Sequence, residues 1–237
     1  MIIAEIGINH QGNWTIAREL ALIASECHAD AVKLQTYKAE LLAPPGPKRD
    51  MLKKYELSKE DTIRIKRYCE GLGIMFLSTP FDKESVDFLD QLVPMFKIGS
   101  GQTNDADFVE YIAKKKKPMI VSTGMSEFSD IRHVLSRVEV PVTLLHCVSQ
   151  YPTKPEDADL RRLQRMMLQF SCPIGYSDHT EGIEICLAAK ALGASVIEKH
   201  ITLDKNQEGP DHKCSATPEE FKALVKGIRK IELACKE

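Results

Sequence analysis

The stretch "SVIEKHITLD", residues 195–204, contains the pattern that decides the fold. It begins as a short apolar run typical of a buried strand and then carries Glu198, Lys199 and His200 in succession. Burying ionisable groups is costly unless they are paired. The pattern therefore predicts a strand that starts in a core and ends where partners for these groups are available.

Seven similar runs precede this one along the chain. They are IIAEIG from Ile2, AVKLQ from Ala31, IMFLSTP from Ile74, MFKIGS from Met95, PMIVSTG from Pro118, VTLLHC from Val142 and PIGYSD from Pro173. Continuous apolar runs of this length are typical of parallel strands that are buried on both faces. Amphipathic helical patterns lie between them, and the clearest follows Thr217, a predicted N-cap with Pro218 at the first helical position and Glu220 completing a capping box.

Eight strands alternating with eight helices predict an α/β protein with a (β/α)8 TIM barrel, as a single domain over residues 1–237. The Pro- and Gly-rich stretch at residues 41–50 fits a long loop after the second strand better than a domain boundary. An open, doubly wound sheet is the alternative, but no G-x-G-x-x-G motif follows the first strand.

Composition narrows the class of protein. The net charge is −2, so charge balance favours neither nucleic acid nor an anionic membrane as a partner. No apolar stretch approaches the roughly 20 residues of a membrane span, and the first residues carry no signal-peptide pattern. The seven cysteines are scattered without a C-x-x-C pair, which argues against a disulfide framework and favours a reducing compartment. We therefore expect a cytoplasmic protein.

Every predicted strand ends on polar side chains. In a barrel of this kind the active site lies at the carboxyl ends of the strands. The side chains expected there include Glu5, Lys33, Gln35, Thr79, Lys97, Ser100, Ser122, Ser149, Tyr151, Ser177, His179, Glu198 and His200. Lysines with serine and threonine hydroxyls are what a phosphate and a carboxylate need, although a single lysine is more often an ion-pair partner. Two further strand-end residues, His146 and Cys147, are interpreted as packing residues.

The two histidines suggest a metal site. His179 and His200 end adjacent predicted strands and could share an ion, although one strand-end histidine is more often a hydrogen-bonded structural residue. A carboxylate and waters would complete an oxygen-rich shell that suits manganese or magnesium better than zinc. Such an ion would act as a Lewis acid on a carbonyl group.

Nine motifs in order resemble one family. They are EIGINHQGN, VKLQTYKAE, FLSTPFD, KIGSG, STGM, LHCVSQYP, GYSDHTEG, IEKHITLD and GPDHKCS, and the resemblance extends from Ile2 to about Ala234. Together they resemble the sialic acid synthases, the phosphoenolpyruvate-dependent nonulosonate synthases. The resemblance implies a (β/α)8 barrel that condenses phosphoenolpyruvate with an N-acyl-mannosamine or a related acetamido sugar. It also implies a divalent metal, usually Mn2+, with Mg2+ or Co2+ possible, and a nonulosonic acid and phosphate as products.

The resemblance also implies roles for particular residues. His179 and His200 would ligate the metal. The phosphoenolpyruvate pocket would contain Lys33, Thr79, Lys97, Ser100, Ser122, Ser149 and Ser177. The groups that hold the sugar or act near the metal would be Glu5, Gln35, Tyr151, Glu198 and Asp211. Lys199, which alternates to the other face of its strand, is expected to pair elsewhere.

Three departures from the family affect the sugar side. Family members usually carry a C-terminal antifreeze-like domain that places an arginine on the sugar across a dimer, and we expect that domain to be absent here. A homodimer or a separately encoded antifreeze-like domain is the expected partner. Gln102 stands where many relatives carry a glutamate. The loop at residues 41–50 is shorter than expected, and it should cover part of the pocket. The acceptor sugar stays open, with an unphosphorylated sugar favoured.

Two other functions remain open from the sequence. One is a Schiff-base aldolase that uses Lys33, Lys97 or Lys199, although the surrounding hydroxyls suit an anion better than they suit a reactive amine. The other is a binding or regulatory barrel that holds phosphoenolpyruvate without turning it over.

Overall fold

The computed structural model describes residues 1–235, in which eight parallel strands form a barrel. The strands are β1 (Ile2–Gly7), β2 (Ala31–Thr36), β3 (Met75–Pro80), β4 (Phe96–Ile98), β5 (Met119–Ser122), β6 (Val142–His146), β7 (Ile174–Asp178) and β8 (Ile197–His200). Their order is β3-β2-β1-β8-β7-β6-β5-β4, and β3 lies next to β4. No hydrogen-bonded ladder joins β3 to β4 within the described residues, so the barrel is nearly closed. The predicted (β/α)8 fold is confirmed.

Eight helices each follow one strand, as predicted. They are α1 (Trp14–Glu26), α4 (Lys59–Leu72), α5 (Lys83–Leu89), α6 (Ala106–Ala113), α7 (Phe128–Leu135), α8 (Leu160–Gln169), α9 (Glu184–Ala191) and α10 (Pro218–Ala234). Thr217 caps α10 with the predicted capping box, since its side chain accepts from the Glu220 backbone and the Glu220 side chain accepts from Thr217. No helix in residues 1–235 is long and apolar enough to cross a membrane.

The connection between β2 and α4 differs from the predicted loop. It contains two extra helices, α2 (Ala39–Leu42) and α3 (Pro47–Tyr55). Tyr37 and Tyr55 are buried with Ile8 in a small apolar cluster beneath these helices. The connection is therefore a packed cap beside the barrel mouth, held by its own core.

The barrel interior is divided into an apolar floor and a polar mouth. The floor contains Ile3, Ala31, Leu77, Ile120, Leu145 and Val196, all buried. Side chains on a strand alternate between faces, so the next inward position lies two residues further along. Those positions carry Glu5, Lys33, Thr79, Ser122, Cys147 and Glu198. The change from apolar to polar along each strand is what places a site above the floor.

Candidate active site

The carboxyl ends of the strands enclose one cavity of about 510 Å³ at the barrel mouth. Its lining includes all the predicted site residues but one: Glu5, Lys33, Gln35, Thr79, Lys97, Ser100, Ser122, Ser149, Tyr151, Ser177, His179, Glu198 and His200. The exception, Asp211, does not line the cavity, but its Oδ2 lies 3.7 Å from His200 Nδ1. The structure thus brings together residues that are scattered over the sequence, while their roles stay predictions.

Two lysines and two glutamates form a buried ionic cluster at the base of this cavity. Lys33 Nζ lies 2.6 Å from Glu5 Oε2 and 3.9 Å from Glu198 Oε2. Lys97 Nζ lies 3.5 Å from Glu198 Oε1. Gln35 donates to Glu5 Oε1 at 3.4 Å. Each charge therefore has a partner of opposite sign, which buried charges require.

The pKa values in the cluster reflect burial opposed by these partners. Burial would raise the pKa of Glu198, but Lys33 and Lys97 outweigh it and hold that pKa below its usual value. Burial, with help from the Glu198 charge, raises the pKa of Glu5 to about 7 despite the close Lys33 ammonium. Burial is also the main reason that the pKa of Lys97 is lowered, whereas the two glutamates raise that of Lys33. Glu198 is thus a fixed anion, and Glu5 can take up a proton near neutral pH.

Hydroxyl groups surround the two lysines. Lys33 donates to Thr79 Oγ1 at 3.1 Å, and Lys97 donates to Ser122 Oγ at 2.7 Å. Ser177 donates to Glu198 Oε1 at 2.9 Å. Because these ammonium and hydroxyl groups already converge, they can redirect their hydrogen bonds to an anionic ligand with little rearrangement.

A glycine packs behind three side chains of the cavity wall. Gly124 N donates to Ser100 Oγ at 3.1 Å. A Cβ at Gly124 would lie 2.7 Å from Ser149 Oγ and 2.9 Å from Cys147 Sγ, closer than side-chain atoms approach. Cys147, which the sequence assigned to packing, also lines the cavity, and its Sγ lies 3.1 Å from Ser100 Oγ. Gly124 therefore packs directly against Ser100, Cys147 and Ser149, three side chains that line the cavity.

The two predicted metal ligands stand side by side. The ring centroids of His179 and His200 are 5.5 Å apart. His179 Nδ1 lies 2.7 Å from Val148 O, and since a carbonyl only accepts, Nδ1 carries the proton and the Nε2 lone pair is free. The Tyr151 ring packs on His179 with centroids 4.0 Å apart. Burial lowers the pKa of both histidines, which favours the neutral imidazole that a metal requires.

Lys199 lies outside the cavity, as its place on β8 predicted. Its Nζ is 2.6 Å from Asp178 Oδ2 on β7, and both side chains are fully buried on the helix side of the barrel. Lys199 is therefore the structural partner of Asp178 and is not available to a substrate in the cavity.

Seven cavity residues were not identified as site residues from the sequence: Lys48, Phe81, Gly99, Gly101, Gln102, Met125 and Cys147. Lys48 belongs to α3, the helix hidden in the stretch interpreted as a loop. A signal was present, because Pro47 occupies the first turn of α3 and follows Gly46, the arrangement typical of a helix start. Gln102 was noted only as a departure from relatives; its Oε1 is buried with no hydrogen-bond partner among residues 1–235.

Comparison with known proteins places the chain in a family. The sequence profile of the NeuB family matches residues 20–237. The N,N'-diacetyllegionaminic acid synthase of Legionella pneumophila is 42% identical, over 98% of this chain and 72% of its own length. The human N-acetylneuraminate-9-phosphate synthase is 41% identical, over 98% of this chain and 70% of its own length. The chain belongs to the NeuB family.

A solved structure agrees in fold over the whole chain. The N-acetylneuraminic acid synthetase of Leptospira borgpetersenii, in complex with citrate, superimposes with a TM-score of 0.96 at 34% identity. The match covers 100% of this chain and 85% of that one. The family resemblance seen in the nine sequence motifs is thereby confirmed.

Proposed function

We propose that this protein condenses phosphoenolpyruvate with an acetamido sugar aldehyde to give a nonulosonic acid and phosphate. The observation that carries the proposal is the cluster of Lys33 and Lys97 with ordered hydroxyls, set beside paired histidines in one cavity. Relatives that cover nearly the whole chain are named synthases of legionaminic, pseudaminic and sialic-type acids.

The lysine side of the cavity suits phosphoenolpyruvate. This substrate brings a phosphate and a carboxylate, and charged hydrogen bonds from ammonium groups and hydroxyls bind both. Lys33 and Lys97 would replace some of their ion pairs with Glu5 and Glu198 by hydrogen bonds to the substrate. Because the pKa of Glu5 is raised to about 7, Glu5 can be neutral when the anion binds, which reduces repulsion. Ser100 and Ser149, which line the cavity in front of Gly124, would hold the second anionic group.

The histidine side suits a divalent metal, for which we propose Mn2+, with Mg2+ or Co2+ as alternatives. His179 offers a free Nε2 lone pair, and His200 Nδ1 is buried without a hydrogen-bond partner in residues 1–235. No group of three or more His, Cys, Asp or Glu side chains in that range converges as a metal site, so the histidines would be the two protein ligands. Substrate and water would complete the shell. When bound, the ion would polarise the sugar aldehyde as a Lewis acid.

The protein side of the reaction follows from the positions of the charges. The C3 carbon of phosphoenolpyruvate forms a bond to the aldehyde carbon, whose oxygen takes up a proton, and positive charge develops at C2. Glu198 is anionic and its Oε2 has no hydrogen-bond partner in the described residues, so it can stabilise that charge and accept a proton from water. The water oxygen bonds to C2 and gives one proton to Glu198, from which it passes to the former aldehyde oxygen. The second proton leaves with the phosphate as the bond from C2 to the phosphate oxygen breaks and the C2 carbonyl forms, with phosphate released toward Lys33 and Lys97.

The acceptor would occupy the outer part of the cavity. The cavity residues that we propose for it are Tyr151, Gln35 and the newly identified Gln102. Asp211 stands beside His200, and burial raises its pKa to about 6. We propose that these groups hold the open-chain sugar, whose identity among acetamido sugars they leave open. A homodimer or a separate antifreeze-like domain remains our proposal for the partner that completes this side.

The proposal is tested by phosphate release from phosphoenolpyruvate with the His200→Ala variant and a matched control. We expect wild type to release phosphate only when Mn2+ and one acetamido sugar are both present. His200→Ala should lose this activity, whereas His133→Ala, on the exposed face of α7, should retain it. Unchanged turnover in His200→Ala would overturn the metal assignment.

One observation favours a second candidate, a Schiff-base aldolase. Burial lowers the pKa of Lys97, which is the property that a nucleophilic lysine needs. Lys97 is nevertheless bonded to Ser122 Oγ and lies 3.5 Å from Glu198, contacts that favour its charged form. The condensation remains the better supported function.

A further inference from the structure

We propose that the buried ion pair between Asp178 and Lys199 is a positioning device that sets the separation of His179 and His200. The inference rests on the proposed function, because it concerns the two residues to which we assign the metal. Its basis is that Asp178 and Lys199 face away from the cavity, while each is the chain neighbour of one of the two histidines that face into it.

The pair is the last cross-strand contact before the histidines. The β7–β8 ladder aligns Ser177 with Glu198 and then Asp178 with Lys199, where it ends. The rung below faces the cavity, where Ser177 donates to Glu198. The histidines occupy the next inward positions, beyond the end of the ladder. His200 is also aligned with Glu5 of β1, and the His179 carbonyl accepts from Thr153 N at 2.8 Å, so other elements help to hold the two residues. The ion pair is the side-chain bond nearest to them that joins β7 to β8.

Lys199 also brackets His179 from both sides. Its Nζ donates to Asp178 Oδ2, one residue before His179, and to the carbonyl oxygen of Thr180, one residue after it. Asp178 in turn accepts from Thr180 N at 3.1 Å, which closes a turn with His179 at its apex. A lysine next to His200 thus holds the turn that carries His179.

The same carboxylate connects this turn to the helix layer. Asp178 Oδ2 accepts from Cys186 Sγ of α9 at 3.3 Å, and both side chains are fully buried. An apolar pair of similar volume would often be as stable as a buried ion pair, so stability alone does not account for one here. The directional hydrogen bonds of the Asp178–Lys199 pair, which hold the ends of β7 and β8 together, do account for a buried ion pair at this place.

The test measures Mn2+ affinity in a variant that removes both charges together. Asp178→Asn combined with Lys199→Met leaves no unpaired buried charge, which a single charge deletion would create. Groups behind the ligands of a metal site typically contribute 10- to 100-fold in affinity. We therefore expect the Kd for Mn2+, measured by the electron paramagnetic resonance of free ion, to rise about 10- to 100-fold. Phosphoenolpyruvate binding without metal should stay unchanged, since Lys33 and Lys97 are intact.

A control separates positioning from lost stability. Ile65→Ala removes fully buried side-chain volume from α4, which packs on α1 and β3, and should lower the melting temperature without changing Mn2+ affinity. If the double variant does not fold, Lys199→Arg keeps the buried charges paired while changing the geometry of the pair, and should show a smaller rise in Kd. A folded double variant that binds Mn2+ as tightly as wild type would overturn the inference.

Failure of the metal assignment is distinguishable from failure of this inference. If wild type binds no Mn2+, the proposed metal role is wrong. The imidazole nitrogen resonances of His179 and His200 then test whether the ion pair positions the two rings. Shifted resonances for both rings in the double variant, with the Ile65→Ala spectrum unchanged, would still support positioning. Resonances identical to wild type would overturn it.

Discussion

Lys33 Nζ lies 2.6 Å from Glu5 Oε2, and both side chains are almost fully buried in the barrel mouth. We expect Lys33→Met to lower phosphoenolpyruvate affinity by about 100-fold, because a charged hydrogen bond to the substrate contributes about 1.5–3 kcal/mol and Glu5 loses its counter-charge. Titration calorimetry with phosphoenolpyruvate measures this. Lys53→Met, at an exposed lysine paired with Glu40, should leave the affinity unchanged. Equal affinities in all three proteins would show that the substrate does not contact Lys33.

The backbone at Gly124 gives a second prediction. A methyl group there would lie 2.7 Å from Ser149 Oγ and 3.0 Å from Ser100 Oγ, so it would displace the two hydroxyls proposed to bind an anionic group. Gly124→Ala should therefore weaken phosphoenolpyruvate binding at least tenfold while the protein stays folded, as measured by calorimetry and thermal melting.

A matched glycine serves as the control for that variant. At Gly71, inside α4, an added Cβ would meet nothing within 4 Å. Gly71→Ala should leave binding unchanged and stabilise the protein by about 0.5–1 kcal/mol, because alanine favours the helix. Normal binding by Gly124→Ala would place the anion elsewhere in the cavity.

Acid stability should depend on His10. This side chain is fully buried, and burial lowers its pKa from 6.5 to about 4. Between those values the unfolded chain binds a proton that the folded protein does not. The contribution to stability is therefore fully present above about pH 6.5 and is lost as the pH falls toward 4, by at most about 3 kcal/mol.

The His10→Gln variant tests this contribution. In urea titrations, its unfolding free energy should fall less between pH 7 and pH 5 than that of wild type. The difference is the contribution of the one proton that His10 takes up on unfolding. The same pH dependence in both proteins would mean that other buried groups account for the acid sensitivity.

Reduction with borohydride distinguishes the condensation from a Schiff-base aldolase. We expect no covalent adduct on Lys97 after incubation with pyruvate and borohydride, because Ser122 and Glu198 hold its ammonium form. Intact-protein mass spectrometry makes the measurement. A stable mass increase that disappears in Lys97→Met would favour the aldolase.

The strands and most of the site were predictable from local chemistry. Inward positions change from apolar to polar within six of the strands, as from Val196 to Glu198, and parallel topology then brings the polar ends together. The alternation on β8 also placed Lys199 outside the cavity correctly. These features follow from strand periodicity and need no knowledge of tertiary contacts.

Other features depended on contacts that no local pattern contains. The helices α2 and α3 are only four and nine residues long and lie in a Pro- and Gly-rich stretch, so their small core around Tyr37 and Tyr55 was not visible. For the same reason Lys48 was missed at the cavity. Asp211 follows no strand, and only the family resemblance suggested its place beside His200.

The most direct test of the central claim is the stoichiometry of products from this chain with phosphoenolpyruvate, Mn2+ and a panel of acetamido sugars. The account predicts that one sugar supports turnover, with one nonulosonic acid formed for each phosphate released, and that omitting Mn2+ stops both. Phosphate release without a matching nonulosonic acid, or binding of phosphoenolpyruvate with no product from any sugar, would contradict it.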